Sequence, residues 1–426
     1  MKVLVIGGGG REHALVWAIR KSKRVSEVVS APGNGGIAEI ARCVPVDVKD
    51  VDDMVRLVTA EKPDLTVIGP ELPLSLGIVD ALKERGFVVF GPTRAAAMLE
   101  TSKVFAKEFM KRHNIPTAHY VVCASADEVA HHLHRFHAPL VVKADGLAAG
   151  KGVLICASRE EAQRAAKELF SGALLGTPVS TVVLEEFLKG DELSFLVMTD
   201  GKHAVPLVAA QDHKRIGEGD TGPNTGGMGA YSTDLLLDPA MREWLMTHIA
   251  HPVVDGMAAE GTPFAGILYC GLMMTARGPM VLEFNARFGD PETQAVLRRL
   301  ESDIVDALEA ASIGRLVETE LVWSHDASVC VIAASGGYPG AYVVGKKIRG
   351  LREASSVPGV EIFHSGTQAG SDGVITAGGR VLGVAAVAPV LREALHRAYQ
   401  AMEMIEFEDL VYRRDIGHRA LGKEGK

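Results

Sequence analysis

Glu283, Asn285 and Arg287 alternate along one short segment and bring three kinds of chemistry to it. Val281 and Leu282 lead in, so the segment begins as a buried strand, and alternate residues of a strand share a face. A carboxylate and an amide oxygen on that face suit Mg²⁺, which proteins usually hold with one or two oxygens while phosphates and water complete the shell. The arginine offers a planar fork for a carboxylate or phosphate. Together they suit a metal-bound nucleotide reacting with an anion. The plainer alternative is a surface strand with a salt bridge, ending in a turn at Gly289, Asp290 and Pro291.

Other clusters add to this set. Lys143 ends an apolar run and opens a small-residue loop containing Gly146, Gly150, Lys151 and Gly152. It lacks the GxxxxGK[ST] spacing of a Walker loop, yet two lysines around such a loop could clamp phosphates as a flap. Glu185, Glu186 and Leu188 end the next apolar run, with Glu192 four residues on. Backbone there could read adenine, and a carboxylate could take ribose hydroxyls. For each of these segments a charged surface loop is the alternative. Gln211-Asp212-His213-Lys214-Arg215 precedes a polar, glycine-rich stretch over 220–231 that includes Asn224, Gly226 and Gly227. A stretch of this kind inside a compact chain is unusual unless functional, and its donors and acceptors suit a substrate-closing loop. Asp212 and Lys214 join Arg287 as catalytic candidates.

Three loops near the N-terminus form a second group. Gly8, Gly9, Gly10 and Arg11 follow the first apolar run, Pro32, Gly33 and Asn34 the second, and Gly69, Pro70 and Glu71 the third. Glycines let backbone approach a phosphate, and a helix N-terminus favours an anion. The sixth position from Gly7 is Glu12, so the GxGxxG dinucleotide fingerprint is broken and NAD is disfavoured. A phosphate or phosphoribosyl ligand remains, against the alternative of plain turns. In an open α/β sheet all three loops belong at the carboxyl edge, where ligands bind.

The elements that must position these residues fall into three styles. Over 1–101, apolar runs at 2–6, 27–30, 65–68 and 87–90 alternate with helical patterns at about 11–22, 50–60 and 74–85, which predicts a parallel βαβ sheet. Over 102–318 the pattern is mixed. A helix at 102–113 ends before Pro116, and an α+β stretch at 119–188 has strands at 140–143, 153–156 and 181–185 and a helix at 159–170. Further strands are expected at about 193–199, 204–209, 267–275 and 280–285, then one helix from Pro291 to about 312. Over 325–426, short strands at 328–334, 360–364, 374–376 and 380–386 precede an amphipathic helix whose stripe is Leu391, Leu395, Ala398, Met402 and Ile405. The fold class is therefore mixed α/β and α+β, in several domains.

The chain has 426 residues, 47% hydrophobic and 23% charged, with a formal net charge of −8. That is an ordinary globular balance, and without a long basic run it argues against nucleic acid or an anionic membrane as partner. Five cysteines, none in CxxC spacing, fit a reduced protein. No stretch has the length of a signal peptide core or a membrane span, so a cytoplasmic location is expected. The histidine run at 131–137 reads as a solvated helix face, with Leu133 and Phe136 as its core contacts. No GxSxG elbow or catalytic cysteine signature appears, which favours a mechanism without a covalent enzyme intermediate.

In this order the pieces resemble the ATP-grasp ligases, and within them the glycinamide ribonucleotide synthetase family. The resemblance rests on residues 9–14, 31–34, 69–74, 143–152, 211–215, 220–231 and 287–292 and spans nearly the whole chain. It implies a substrate-binding N-domain, a two-part ATP-grasp domain with a mobile lid at about 119–188, and a small C-terminal domain. It implies ATP-dependent joining of glycine to 5-phosphoribosylamine through glycyl phosphate in purine synthesis, with Mg²⁺ or Mn²⁺ held by Glu283 and Asn285. Lys103 and Lys143 would bind ATP phosphates, and Arg287 would orient glycine's carboxylate or the acyl phosphate. A monomer is expected, open to transient contact with the upstream enzyme. Two departures stand out. Gly8 occupies a position where the family often has asparagine, and residues 264–275 contain no second acidic metal ligand. The competing readings are another ATP-grasp ligase or carboxylase, a nucleotide-binding oxidoreductase and a non-catalytic ATP-binding module.

Overall fold

Strand Lys2–Gly7 is the centre of a five-stranded sheet in the computed structural model, which describes residues 1–147 and 152–422. Val3, Leu4, Val5 and Ile6 are wholly buried, as a parallel strand covered on both faces requires. Glu27–Pro32 and Arg42–Cys43 lie to one side, Leu65–Ile68 and Val89–Phe90 to the other, and every neighbouring pair is parallel. Strand order thus reverses at Lys2–Gly7, and the three N-terminal loops meet at the carboxyl edge of the sheet. The helix expected over 74–85 is split into Glu71–Leu76 and Ile78–Lys83 by Gly77, whose φ of 91° a side chain would resist.

An antiparallel sheet of Ala204–Pro206, Asp191–Asp200, Ala265–Thr275 and Gly278–Asn285 packs beside it. The two share their cores: Leu4, Ile6 and Ile68 pack in one cluster with Phe195, Leu268 and Phe284. A separate sheet of Tyr120–Cys123, Val182–Glu186, Leu140–Ala144 and Val153–Cys156 carries helices Ala126–His132 and Arg159–Ser171 and encloses its own core. Leu133 and Phe136 lie in that core, as the sequence predicts.

Helix Leu391–Met402 covers the sheet built on Ala327–Ser335, Arg380–Ala388 and Val360–His364, with its predicted stripe buried. Two expectations change. The helix expected from Pro291 to about 312 is interrupted, as Glu292–Val296, a 3-10 turn Leu297–Arg299 and Ile304–Ser312. Asp303 caps the last piece, its carboxylate accepting from the Val305 amide. The glycine-rich stretch at 220–231 is more regular than a loop: Thr221–Asn224 forms a hairpin with Arg215–Gly217. Gly229–Ser232 continues the C-terminal sheet by pairing with both Ala327–Ser335 and Gln211–Asp212. The helical stretch over 239–259, which the sequence reading leaves unassigned, packs into the shared core through Leu245, Ile249 and Val253. Among the described residues no helix is long and apolar enough to cross a membrane.

Candidate active site

The strand carrying the metal candidates ends at Asn285, and Arg287 lies just past it. Its guanidinium still turns back to the same face, with Nη2 3.4 Å from Asn285 Oδ1. Opposite Glu283 and Asn285 in the ladder stand Gly271 and Tyr269. Arg287 is held between two carboxylates: Nη2 is 3.0 Å from Glu100 Oε1, and Nε is 3.3 Å from Glu71 Oε2. Glu100 also accepts the Ala286 amide at 2.7 Å. Burial pushes the Glu100 carboxyl above its usual range despite Arg287. For the more accessible Glu71, burial acts the same way but Arg287 and Arg11 outweigh it and hold the carboxyl low.

Glu283 faces a group of cations. Lys214 Nζ is 3.7 Å away and 3.1 Å from Glu192. Burial alone would raise Glu283, but Lys214, Lys143, Lys103 and Arg287 together keep it ionised. Among the described residues no three of His, Cys, Asp and Glu converge as a metal cage. A cation at Glu283 and Asn285 would have two protein oxygens and need the rest from phosphates and water, which fits Mg²⁺. Asp212 is buried beside this group. Burial raises its carboxyl well above the usual range, opposed by Lys214 and reinforced by Glu292, Glu192 and Glu283. Burial would lower Lys214, but Glu192, Asp212 and Glu283 outweigh it and keep the ammonium charged.

Deeper in, Glu185 is the common partner of two lysines: Oε2 is 3.0 Å from Lys143 Nζ and 3.2 Å from Lys107 Nζ. Its other oxygen is buried without a hydrogen-bond partner. Strand alternation sends the Glu186 side chain the opposite way, to the His119 amide and Arg277, away from Lys107 and Lys143. Leu188 packs with Ala118, Met273, Met280 and Leu282 in a small apolar cluster. Lys143 also donates to the Leu282 carbonyl, and Lys103 donates to the carbonyl of Gly146, whose φ is 103°. The Gly152 carbonyl accepts from the Ala144 amide. Gly150 and Lys151 lie outside the described residues.

The N-terminal loops reach the same place. The Gly9 amide donates to Glu12 Oε2, Arg11 pairs with Glu12 and donates to the Phe288 carbonyl, and the Arg11 amide points at Asp290. A side chain on Gly8 would meet the Gly33 carbonyl at 2.3 Å. Glycine here thus permits the close approach of the second loop, where Pro32 follows a cis bond. Gly69 lies against Glu12 in the same way, beside Pro70. Asn34 is a substrate candidate whose side chain is already saturated: it donates to the carbonyls of Gly8 and His364 and accepts from the amides of Gly36 and Ile37. It positions the loop, and its carbonyl is taken too, accepting from the Ala38 amide at 3.0 Å.

Several site residues escape the sequence reading. Arg380, from the C-terminal sheet, donates to the carbonyls of Gly226 and Asp290 and lies 3.4 Å from the Asp290 carboxylate. Glu292 is 3% exposed and accepts from Tyr269 at 2.6 Å and Ser194 at 3.3 Å. Glu292 stands in a motif already singled out, whereas Arg380 and Glu100 carry no local signal. Asn224 sits in the hairpin opposite Arg215, and Gly227 takes a φ of 111° against Pro291.

Comparison with known proteins bears on this arrangement. Family models match the chain in three successive parts: Phosphoribosylglycinamide synthetase, N domain, over residues 1–100; its ATP-grasp (A) domain over 101–293; and its C domain over 328–419. A phosphoribosylamine–glycine ligase of Xanthomonas axonopodis pv. citri is 49% identical over 429 residues, covering 100% of this chain and 99% of that protein. The crystal structure of phosphoribosylamine–glycine ligase from Thermotoga maritima superposes with a TM-score of 0.86 at 35% identity, covering 98% of this chain and 100% of that one. The biotin carboxylase domain of Hydrogenobacter thermophilus 2-oxoglutarate carboxylase, solved with MgADP and bicarbonate, gives 0.73 at 18% identity, with 96% and 91% covered. That last likeness is one of fold.

Proposed function

The chain belongs to the phosphoribosylglycinamide synthetase family, and from that premise we infer that it catalyses the ATP-dependent ligation of glycine to 5-phosphoribosylamine. The products are glycinamide ribonucleotide, ADP and phosphate, in purine biosynthesis. The observation that carries the reading is the meeting of Arg287 with Glu71 of the third N-terminal loop, which joins the strand of Glu283 and Asn285 to the phosphoribosyl candidate edge.

In this reading glycine's carboxylate attacks the γ-phosphate of ATP, forming glycyl phosphate and ADP. The amine of phosphoribosylamine then attacks the acyl carbon, the C–N bond forms, and phosphate leaves. Both steps ask the protein chiefly to position groups and neutralise charge. Lys103 and Lys143 serve the phosphates of ATP. The apolar cluster around Leu188 walls the adenine, with Glu185 and Glu186 at the end of the adjoining strand. Glu192 serves the ribose. Glu283 and Asn285 would hold Mg²⁺, or Mn²⁺ in its place, and that ion would supply neutralisation of phosphate charge. Arg287 orients glycine's carboxylate with its fork fixed by Glu71 and Glu100. Asp212 and Lys214 face the reacting centre beside Glu283. The loops at 8–11, 32–34 and 69–71, with Asn224, Gly226, Gly227 and Asp290, receive phosphoribosylamine. We assign 1–101, 102–318 and 325–426 as the functional divisions, with 119–188 as a lid that keeps water from the acyl phosphate.

The test is ADP release with Mg-ATP, glycine and freshly generated phosphoribosylamine, each omitted in turn, with mass spectrometry of the product. ADP formation that needs all three, with the glycinamide ribonucleotide mass, is expected. No ADP under any combination from folded protein that binds ATP would sink the reading.

A further inference from the structure

The hairpin that follows Asp212 and Lys214 is held by the far end of the chain. Arg413 is 1% exposed. Its Nε and Nη2 donate to the two oxygens of Asp415, both at 2.7 Å, while Nη1 donates to the Arg215 carbonyl at 3.1 Å and Asp220 Oδ1 at 2.9 Å. Arg419 pairs with the second Asp220 oxygen. Contacts also run through the backbone: the Gly219 amide donates to Asp415 at 2.9 Å, and the Arg414 amide donates to Glu218 at 3.1 Å. A further link reaches the residue between the two catalytic candidates. The Gly417 amide donates to His213 Nε2 at 2.9 Å, and His213 Nδ1 lies 2.9 Å from the Asp212 carbonyl. One neutral tautomer, with the proton on Nδ1, satisfies both ring contacts.

The links between the C-terminal segment and the hairpin or His213 join residues about 200 apart in sequence. A glycine-rich hairpin is thus pinned at its first strand and its turn by a charged network of low exposure, whose members depend on one another for their geometry. We propose that residues 413–419 are a positioning clamp: Arg413, acting through Asp220 and the Arg215 carbonyl, and Gly417, acting through His213, set the placement of Asp212 and Lys214 and so the rate of ligation. The proposal rests on the catalytic assignment of Asp212 and Lys214 given above.

Arg413→Lys in the full chain is the first test, because lysine keeps the charge but has no fork to serve Asp415, Asp220 and a carbonyl together. Asp220→Asn is the second; it cuts the clamp from the hairpin side, and asparagine tolerates the residue's φ of 56°. Hydrogen exchange over residues 212–224 is measured with kcat, KM and the thermal midpoint. Faster exchange there, a kcat lower by about 10- to 100-fold and a nearly unchanged midpoint are expected. Unchanged exchange, or faster exchange with kcat within twofold of wild type, would overturn the clamp. Lys214→Met is measured alongside. Full turnover in that variant would overturn the catalytic assignment and the proposal with it, while any exchange change in Arg413→Lys would stand by itself.

Discussion

Glu185→Gln removes one negative charge from the nucleotide slot without altering its shape. The side chains of Glu185, Lys107 and Lys143 are 2%, 3% and 8% exposed, and both ammoniums contact the same carboxylate oxygen. Burial lowers Lys107 to about 8, with Glu185 the leading influence that keeps it from falling further. Without that carboxylate, Lys107 gives up its proton at neutral pH. Its added cost at pH 7 is therefore limited to the interval between 7 and about 8, one pH unit or ~1.4 kcal/mol. Lys143 retains the Leu282 carbonyl but loses its ion pair. Breaking a buried pair by removing one partner generally costs about 3–5 kcal/mol, and Lys107's capacity to neutralise places this case near the low end, about 3 kcal/mol.

The sign with pH follows from linkage. Lys107 sits below its unfolded value, so above its folded value the unfolded chain binds more protons and stability rises with pH. The variant enters that regime at a lower pH than the wild type. Its deficit is therefore larger at pH 7 than at pH 9, shrinking by ~1.4 kcal/mol over that range, because Lys107 is neutral in both folded proteins at the upper end. Hydrogen exchange in strands Leu140–Ala144 and Val182–Glu186 is the suitable assay, since a chain of several cooperative units has no single unfolding free energy. A deficit under about 1 kcal/mol, or one equal at both pH values, would refute the reasoning.

Three further outcomes are expected. Arg287→Lys cannot span Glu71 and Glu100, so turnover falls by about 100-fold or more while circular dichroism shows a folded protein; a loss under tenfold would contradict the assigned role. Glu283→Gln raises the Mg²⁺ concentration for half-maximal rate by at least about tenfold, and an unchanged metal titration would remove Glu283 from the metal site. Burial lowers His13 to about 3 and His213 and His364 to about 4, and all three join distant parts of the chain. Their folded values lie below the unfolded 6.5, so their contribution is complete above pH 6.5 and is lost as pH falls towards 4. Thermal midpoints should therefore drop between pH 7 and 5; a flat profile over that range would contradict it.

The local elements are legible where one residue pattern dominates. The continuous apolar run that buries Val3 through Ile6 on both faces, the stripe of helix Leu391–Met402 and the parallel arrangement of the N-terminal strands all follow from the hydrophobic pattern along the chain. The pairing of Glu283 with Asn285 follows from strand alternation for the same reason. Local spacing misjudges the helix after Pro291, because a cap at Asp303 interrupts an otherwise apolar run.

What the sequence by itself determines is therefore the set of reactive groups and the short elements that carry them, together with the family those motifs identify. Only the tertiary structure decides which groups meet. Glu100 reaches Arg287 across 187 positions, Arg380 reaches Asp290 across 90, and Arg413 reaches Asp220 across 193. It also decides that the Asn34 side chain is saturated by its neighbours and that the second loop comes close to Gly8. Periodicity is a property of neighbouring residues along the chain, whereas ion pairing, desolvation and close approach depend on distances that exist only once the sheets have packed.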